Sequence, residues 1–261
     1  QLTVGDDPQA NLPETLTYLR AAAAGGADLV LTPECTGLLS SSRDHQRRVL
    51  RTEAEDETLA ALRAEARAIG IPVLVGSLGL LTGDADGRFA NRSFLIGADG
   101  EIVARYDKIH MFDVNVSETE VYRESAAYRP GARAVVADMP FARIGMAVCY
   151  DLRFPHLFRR LAQGGAQILT VPAAFNHLTG EAHWEVLLRA RAIETGCFVL
   201  APAQCGTHPT HFDPARPPRR SHGHALAVNP WGEVLADGGT EPGVTLVALD
   251  PGAVDRARSR I

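Results

Sequence analysis

Apolar positions along the chain follow two rhythms, and their alternation predicts a layered α/β protein. Leu12, Leu16 and Leu19 recur at helical spacing between about Leu12 and Ala24, and Gly25-Gly26 supplies the stop. Asp28 to Thr32 is a short buried strand that ends at Pro33-Glu34-Cys35. Leu59, Leu62, Ala66 and Ile69 mark a second helix from about Asp56 to Ile69. Ile71 to Leu81, Phe89 to Ile96 and Ile102 to Ile109 then read as a three-stranded meander, with turn chemistry at Gly83 to Gly87 and Ala98 to Gly100. Met111 to Pro130 follows neither rhythm and is expected to be a long irregular connection, a kind of segment that in compact domains usually carries function.

The second half alternates more regularly. Ala132 to Ala137 and Ala142 to Val148 are paired strands, Pro155 to Gln163 a helix, Ala166 to Val171 a buried strand and about Glu181 to Glu194 another helix. Cys197 to Ala203 is a further apolar strand, followed by a Pro- and His-rich loop from Cys205 to His222. Ala225 to Val228 and Val244 to Leu249 are read as strands around the turn Asn229 to Glu233, and Asp250-Pro251 opens a short helix. Roughly a dozen strands would make one doubly wound sheet very wide. Two mixed sheets packed face to face with helices outside fit better, which is a four-layer α-β-β-α sandwich of the α/β class. Residues 1–261 are expected to form a single domain, its amino-terminal strand and carboxyl-terminal tail incomplete because Gln1 to Val4 reads as the tail of a strand and Ile261 as an abrupt stop.

Composition narrows the ligands. With 46% hydrophobic residues the chain can bury a substantial core, and a net charge of −5 with scattered signs argues against nucleic acid and against a polybasic membrane patch. No apolar run reaches the roughly 18 residues that span a bilayer, so a soluble, cytoplasmic protein acting on small molecules is expected. Cys35, Cys149, Cys197 and Cys205 form no CxxC pair, which favours reduced thiols.

One of those thiols stands apart. Cys149 ends the apolar run Ile144 to Val148, and Pro155 soon opens a helix, so its sulfur is expected at a sharp strand-to-helix junction near unpaired amide donors. A buried core cysteine fits this stretch equally well. Glu34 and Lys108 also end strands, and Glu124 lies in the long connection. Each alone is commonly a solvated charge. Together a carboxylate, an ammonium and a thiol are the base, oxyanion stabiliser and nucleophile that acyl transfer requires.

The blocks Leu31-Thr32-Pro33-Glu34, Tyr106-Asp107-Lys108-Ile109-His110 and Val148-Cys149-Tyr150-Asp151-Leu152-Arg153-Phe154-Pro155 resemble the three signatures of the nitrilase superfamily, the carbon-nitrogen hydrolases. Glu124 with Tyr128-Arg129-Pro130-Gly131, His183-Trp184-Glu185, Arg189 to Glu194 and Asn229-Pro230-Trp231-Gly232 extend the match in order along the chain. Lys108 to Val114 and Pro172 to Asn176 are most similar to its Nit-type amidases. The resemblance implies the same sandwich, Glu34 as general base, Lys108 as stabiliser, Cys149 as nucleophile, and Glu124 as a second acid that orients Lys108 or the substrate. It also implies a homodimer joined through the helices after Cys149 and after Asn176. The expected reaction is cleavage of a small linear amide to acid and ammonia without metal or organic cofactor. Deaminated glutathione is the first substrate expected, then α-keto-acid amides, with nitriles and N-carbamoyl compounds as alternatives. Lys108 beside the sulfur favours a thiolate, while two nearby carboxylates favour one proton shared between sulfur and Glu34.

Tyr150, Arg153, Phe175 and Asn176 are candidates for substrate binding, with Arg153 able to pair bidentately with a carboxylate or, equally, to tie the elbow to a helix. Cys205 stands where the family pattern leads one to expect a small or hydroxyl residue, and is expected to face the pocket. Three rivals remain open. They are a Cys-His hydrolase using His110, His156 or His183, a metal site at His208, His211, His222 and His224, and a binding protein that does not turn over.

Overall fold

Asp7 accepts a hydrogen bond from the Gln9 amide and Pro8 takes the first helical position, so α1 (Pro8–Ala24) starts four residues before the apolar periodicity does. A computed structural model describes residues 1–116, 120–212 and 218–260 of the chain. In order, the first half carries β1 (Val30–Leu31), α2 (Arg43–Val49), α3 (Glu57–Ile69), β2 (Val73–Leu81), β3 (Phe89–Ile96), β4 (Ile102–Asp107), β5 (Asp113–Asn115) and β6 (Val121–Arg123). The second half carries β7 (Val135–Met139), β8 (Ala142–Met146), α4 (Pro155–Gln163), β9 (Ile168–Thr170), α5 (His177–Thr195) and β10 (Phe198–Ala201). It closes with β11 (Cys205–Thr207), β12 (Arg220–His222), β13 (Leu226–Val228), β14 (Val234–Asp237) and α6 (Gly252–Arg258).

Two mixed sheets result. One has the order β1-β2-β3-β4 and the other β14-β13-β10-β9-β8-β7. Period-2 alternation sets which face each residue covers. Val73, Val75, Phe94 and Ile96 bury under α1 and α3 against Leu19, Leu59, Leu62 and Ala66. Gly145 backs onto Leu161 and Leu169 on the α4 side, so Ile144 and Met146 take the opposite face together with Ile168, which meets Leu31 of the other sheet. Trp184 and Leu188 of α5 join the larger core from outside the second sheet. The four-layer α-β-β-α sandwich expected from the strand count is therefore the observed architecture.

The differences from the sequence reading have local causes. The segment α2 has the sequence RDHQRRV, without an apolar stripe to announce it, and is held by a Ser42 cap. Residues 111–130 are not simply irregular, because β5 and β6 pair as a hairpin within them; residues 117–119 lie outside the described ones, as do 213–217 of the His-rich loop. Val244 to Leu249 is not a strand. The strand beside β13 is β14 instead, and the 244–249 segment lines an apolar cavity of about 840 Å³ with α1, β1 and β10, with no strand of the described residues alongside it. That cavity contains none of Glu34, Lys108, Glu124 or Cys149 in its walls.

Candidate active site

The ends of three strands deliver three chemical groups to one buried point. After β1 the backbone continues its ladder through Thr32, whose amide donates to the Leu74 carbonyl at 2.9 Å, and then turns at Pro33. The turn packs against Gly76, where a Cβ would lie 2.1 Å from the Thr32 carbonyl oxygen; only glycine admits this approach, and it fixes where Glu34 projects. Lys108 follows β4 with its amide on the Asn91 carbonyl at 2.9 Å. Its own carbonyl accepts from Gly131, another close approach, since a Cβ there would meet the Asp107 carbonyl oxygen at 2.1 Å. Cys149 leaves the end of β8 and opens a 3-10 turn over Cys149–Arg153, with α4 beginning only at Pro155. The sequence reading placed the thiol at an α-helix terminus; it sits at this tighter turn, where the first amides have no partner within the turn.

Glu34, Lys108 and Cys149 are 4, 2 and 7% exposed, so the groups are held almost out of water. Lys108 Nζ donates to Glu34 Oε1 at 3.0 Å and to both Glu124 oxygens at 2.9 Å. Glu124 also accepts from the Phe112 amide at 2.6 Å, which anchors the carboxylate supplied by the long connection. Glu34 Oε2 accepts from the Ala174 amide at 2.9 Å, and its backbone carbonyl accepts from Gln204 Nε2 at 3.0 Å. Cys149 has φ +47° and Cys35, next to Glu34, has φ +60°. Left-handed backbone at two non-glycine residues beside the two reacting groups is strain of the kind that clusters at functional sites.

The electrostatics assign the resting protons. Burial pushes Glu34 up, but Lys108, the hydrogen bond from Cys149, the Ala174 amide and Arg219 outweigh it and hold the carboxyl at about 2. Burial and the Glu34 charge push the Cys149 thiol well above its usual range, against Lys108 and Arg219. Lys108 loses to burial but gains more from Glu124, Glu34 and Cys149, and remains an ammonium. Of the sharing expected between sulfur and Glu34, the resting proton is thus on sulfur: Lys108 keeps Glu34 ionised, and burial with the Glu34 charge pushes the thiol up. The carboxylate is ready to take that proton.

Further residues complete the frame that the sequence reading left without roles. Asn91 Nδ2 bridges Glu34 Oε1 at 2.9 Å and Glu124 Oε1 at 3.3 Å; in the sequence it is one of three successive polar residues in β3, and nothing there sets it apart from Arg92 and Ser93. Asp151 is fully buried and accepts from Tyr106 Oη, the Val148 amide and the His110 amide at 2.7, 2.9 and 3.0 Å, locking the elbow to the end of β4.

The candidates for substrate binding lie around this centre with different occupations. Tyr150 meets Phe112 and Phe154 edge-on at 5.1 and 5.4 Å. Phe175 is buried against Trp184, with ring centroids 5.0 Å apart. Arg153 spreads over Phe175 at 5.4 Å and Tyr150 at 6.0 Å and approaches His183, without a bond to Glu34 or Lys108 among the described residues. Asn176 caps α5, its Oδ1 accepting from Leu178 and Thr179, while Nδ2 donates to Glu120 and the Tyr122 hydroxyl.

Cys205 does not face the pocket. Its sulfur is 3.3 Å from the Thr3 hydroxyl, because Gln204 takes the inward position and sends Cys205 to the opposite face of β11.

Of the histidines in the Cys-His reading, His156 is exposed and the other two are engaged elsewhere. His110 Nδ1 is 2.7 Å from Asp151 with its ring stacked on Phe154, and His183 lies against Arg153. Among the described residues no cluster of three or more His, Cys, Asp or Glu is arranged to hold a metal ion. His208 is buried between the Val4 carbonyl and the Ser221 hydroxyl, and burial, with Arg219 nearby, pushes it down to about 4. A pH dependence of stability follows. Between pH 6.5 and about 4 the unfolded chain binds a proton that folded His208 refuses, so stability falls as pH falls through that window, by up to about 3 kcal/mol. His222, pushed down to about 4 by burial and by His224 and His177, acts in the same direction. Urea unfolding at pH 7 and pH 5 should show a smaller pH difference in His208→Gln than in the parent; an unchanged difference would refute this assignment.

A carbon-nitrogen hydrolase family model matches residues 1–259. A deaminated glutathione amidase of Yersinia enterocolitica is 42% identical over 240 residues, covering 90% of this chain and 79% of that protein. The crystal structure of the C. elegans NitFhit protein superposes with a TM-score of 0.90 at 32% identity, covering 100% of this chain, which spans 61% of that one. The amidase from Nesterenkonia sp. AN1, in a Glu-to-Gln mutant with acrylamide added at its active-site cysteine, gives a TM-score of 0.80 at 28% identity, over 100% of this chain and 95% of that one. No described helix is long and apolar enough to cross a membrane.

Proposed function

The chain belongs to the carbon-nitrogen hydrolases and acts on non-peptide amide bonds, and from that premise we propose that it hydrolyses deaminated glutathione through a Cys149 thioester. The observation that carries the residue roles is the buried contact of Lys108 with both Glu34 and Glu124, with the Cys149 thiol close enough for its proton and the Glu34 charge to act on each other. Glu34 takes the thiol proton as sulfur attacks the amide carbon. Lys108 and the Tyr150 amide hold the oxyanion, and Glu34 returns the proton to the departing nitrogen as the C–N bond breaks. Water, deprotonated by Glu34, then attacks the thioester, and the acid leaves as the proton returns to sulfur. Glu124 touches Lys108 and positions it. Tyr150, Phe175, Asn176 and Arg153 form the surround of the substrate, on the rims their contacts define.

The substrate assignment draws on the Yersinia relative, which is named for that activity. Its test is a panel of deaminated glutathione, an α-keto-acid ω-amide, a simple nitrile and an N-carbamoyl amino acid. Deaminated glutathione, assayed by the acid and cysteinylglycine released, should be cleaved with the highest kcat/KM; for the others ammonia is read. A higher value for the ω-amide would move the assignment to that substrate class, and no turnover of any member would overturn it.

A cytoplasmic homodimer is part of the same proposal. Leu178, Val186 and Ile193 of α5 and nearby Trp231 are 53, 68, 47 and 52% exposed, an apolar outer face on the helix after Asn176. Light scattering should give twice the mass of the 28.0 kDa chain, and a monomer at micromolar concentration would contradict it.

A further inference from the structure

Arg219 brings a second cation to the wall of the site, from the stretch just before β12. Its Nη2 donates to the carbonyl of Ala174, the residue whose amide donates to Glu34 Oε2. The guanidinium is therefore one peptide unit away from the base. It also lies 5.8 Å from the ring centre of Tyr122, whose hydroxyl receives the Asn176 amide. Its Nε is buried and has no hydrogen-bond partner among the described residues. Burying a guanidinium donor without an acceptor is costly, and a carboxylate is the acceptor that matches its planar fork.

Arg153 has a different setting. Its charge is spread over the faces of Phe175 and Tyr150. The charge of Arg219, by contrast, is felt at both Glu34 and Cys149.

We propose that Arg219 binds a carboxylate of the amide substrate and so makes the site select anionic amides over neutral ones. The inference rests on the amidase reading above and adds the residue that recognises the substrate's charge. A carboxylate on Arg219 would be held within one peptide of Glu34, leaving the amide carbon to Cys149. The small acids that fit are dicarboxylate monoamides, in which one end is the reacting amide and the other the anion.

The experiment compares glutaramate with its neutral analogue pentanamide in the parent, Arg219→Gln and Arg219→Lys. Arg219→Gln should raise KM for glutaramate about 10- to 100-fold, the range of a lost charge-assisted hydrogen bond. Its kcat/KM for pentanamide, which loses only the effect of the charge on Glu34 and Cys149, should fall at least tenfold less than its kcat/KM for glutaramate, and Arg219→Lys should recover part of the loss. Equal losses on both amides would make Arg219 a structural tie to Ala174, and an unchanged KM for glutaramate would remove it from the site. Glutarate binding by calorimetry reads the same subsite without turnover. Affinity should fall about 10-fold or more in Arg219→Gln, and equal affinity in both proteins overturns the subsite even if neither amide is cleaved. Absence of turnover with intact, Arg219-dependent glutarate binding would instead count against the amidase reading alone.

Discussion

Replacing Cys149 by alanine is expected to lower kcat for amide hydrolysis by about 10⁴ or more while leaving the fold in place. The sulfur is the atom that joins the acyl group, and no neighbouring side chain replaces it. Cys35 lies next to Glu34 in sequence, but its thiol is pushed up to about 12 by burial and by Glu34. Cys197 donates to the Ala166 carbonyl within the core, and Cys205 faces Thr3. Alanine tolerates the φ of +47° no worse than cysteine does, so the loss should be chemical. Circular dichroism and the thermal midpoint of the variant should stay close to those of the parent. Activity within about 100-fold of the parent would remove Cys149 from the role of nucleophile.

Replacing Lys108 by methionine should have the next largest effect, and on two observables at once. The ammonium is 2% exposed and bonded to two carboxylates. Methionine fills a similar volume but leaves Glu34 and Glu124 facing each other in a buried site. Removing one partner from a buried ionic group costs about 3–5 kcal/mol. One carboxylate should then take up a proton to relieve the repulsion, and if Glu34 does so the base is lost together with the oxyanion donor. Removing the oxyanion donor alone costs about 10²–10³ in kcat. The expected result is a fall of about 10³ or more with an unfolding midpoint clearly lowered. His110→Ala should retain far more activity, since its ring is committed to Asp151 and Phe154. The reverse ranking would restore a Cys-His mechanism.

The sequence was most legible where an apolar run stops abruptly. Glu34 and Cys149 each follow such a run and Lys108 follows the alternating strand β4, so their residue types and positions could be read, although nothing in their separation along the chain required them to meet. Their meeting depends on sheet order and on backbone approaches at Gly76 and Gly131, which no periodicity encodes. Asn91 and Asp151 acquire their importance only from what they touch. Arg219 was hidden for another reason: it lies in a Pro- and His-rich stretch without a hydrophobic rhythm, where a buried arginine and an exposed one look alike. The protonation of the site was likewise undecided until both carboxylates were seen on Lys108. Val244 to Leu249 shows the opposite failure, a strand-like composition with no strand of the described residues beside it.

Acyl transfer through Cys149 is tested most directly by quenching the protein in acid during turnover of glutaramate and locating the acyl group by peptide mass spectrometry. The expected result is an acid-stable thioester on the peptide bearing Cys149, absent from Cys149→Ala. An acyl group on another residue, or turnover by Cys149→Ala at the parent rate, would contradict it.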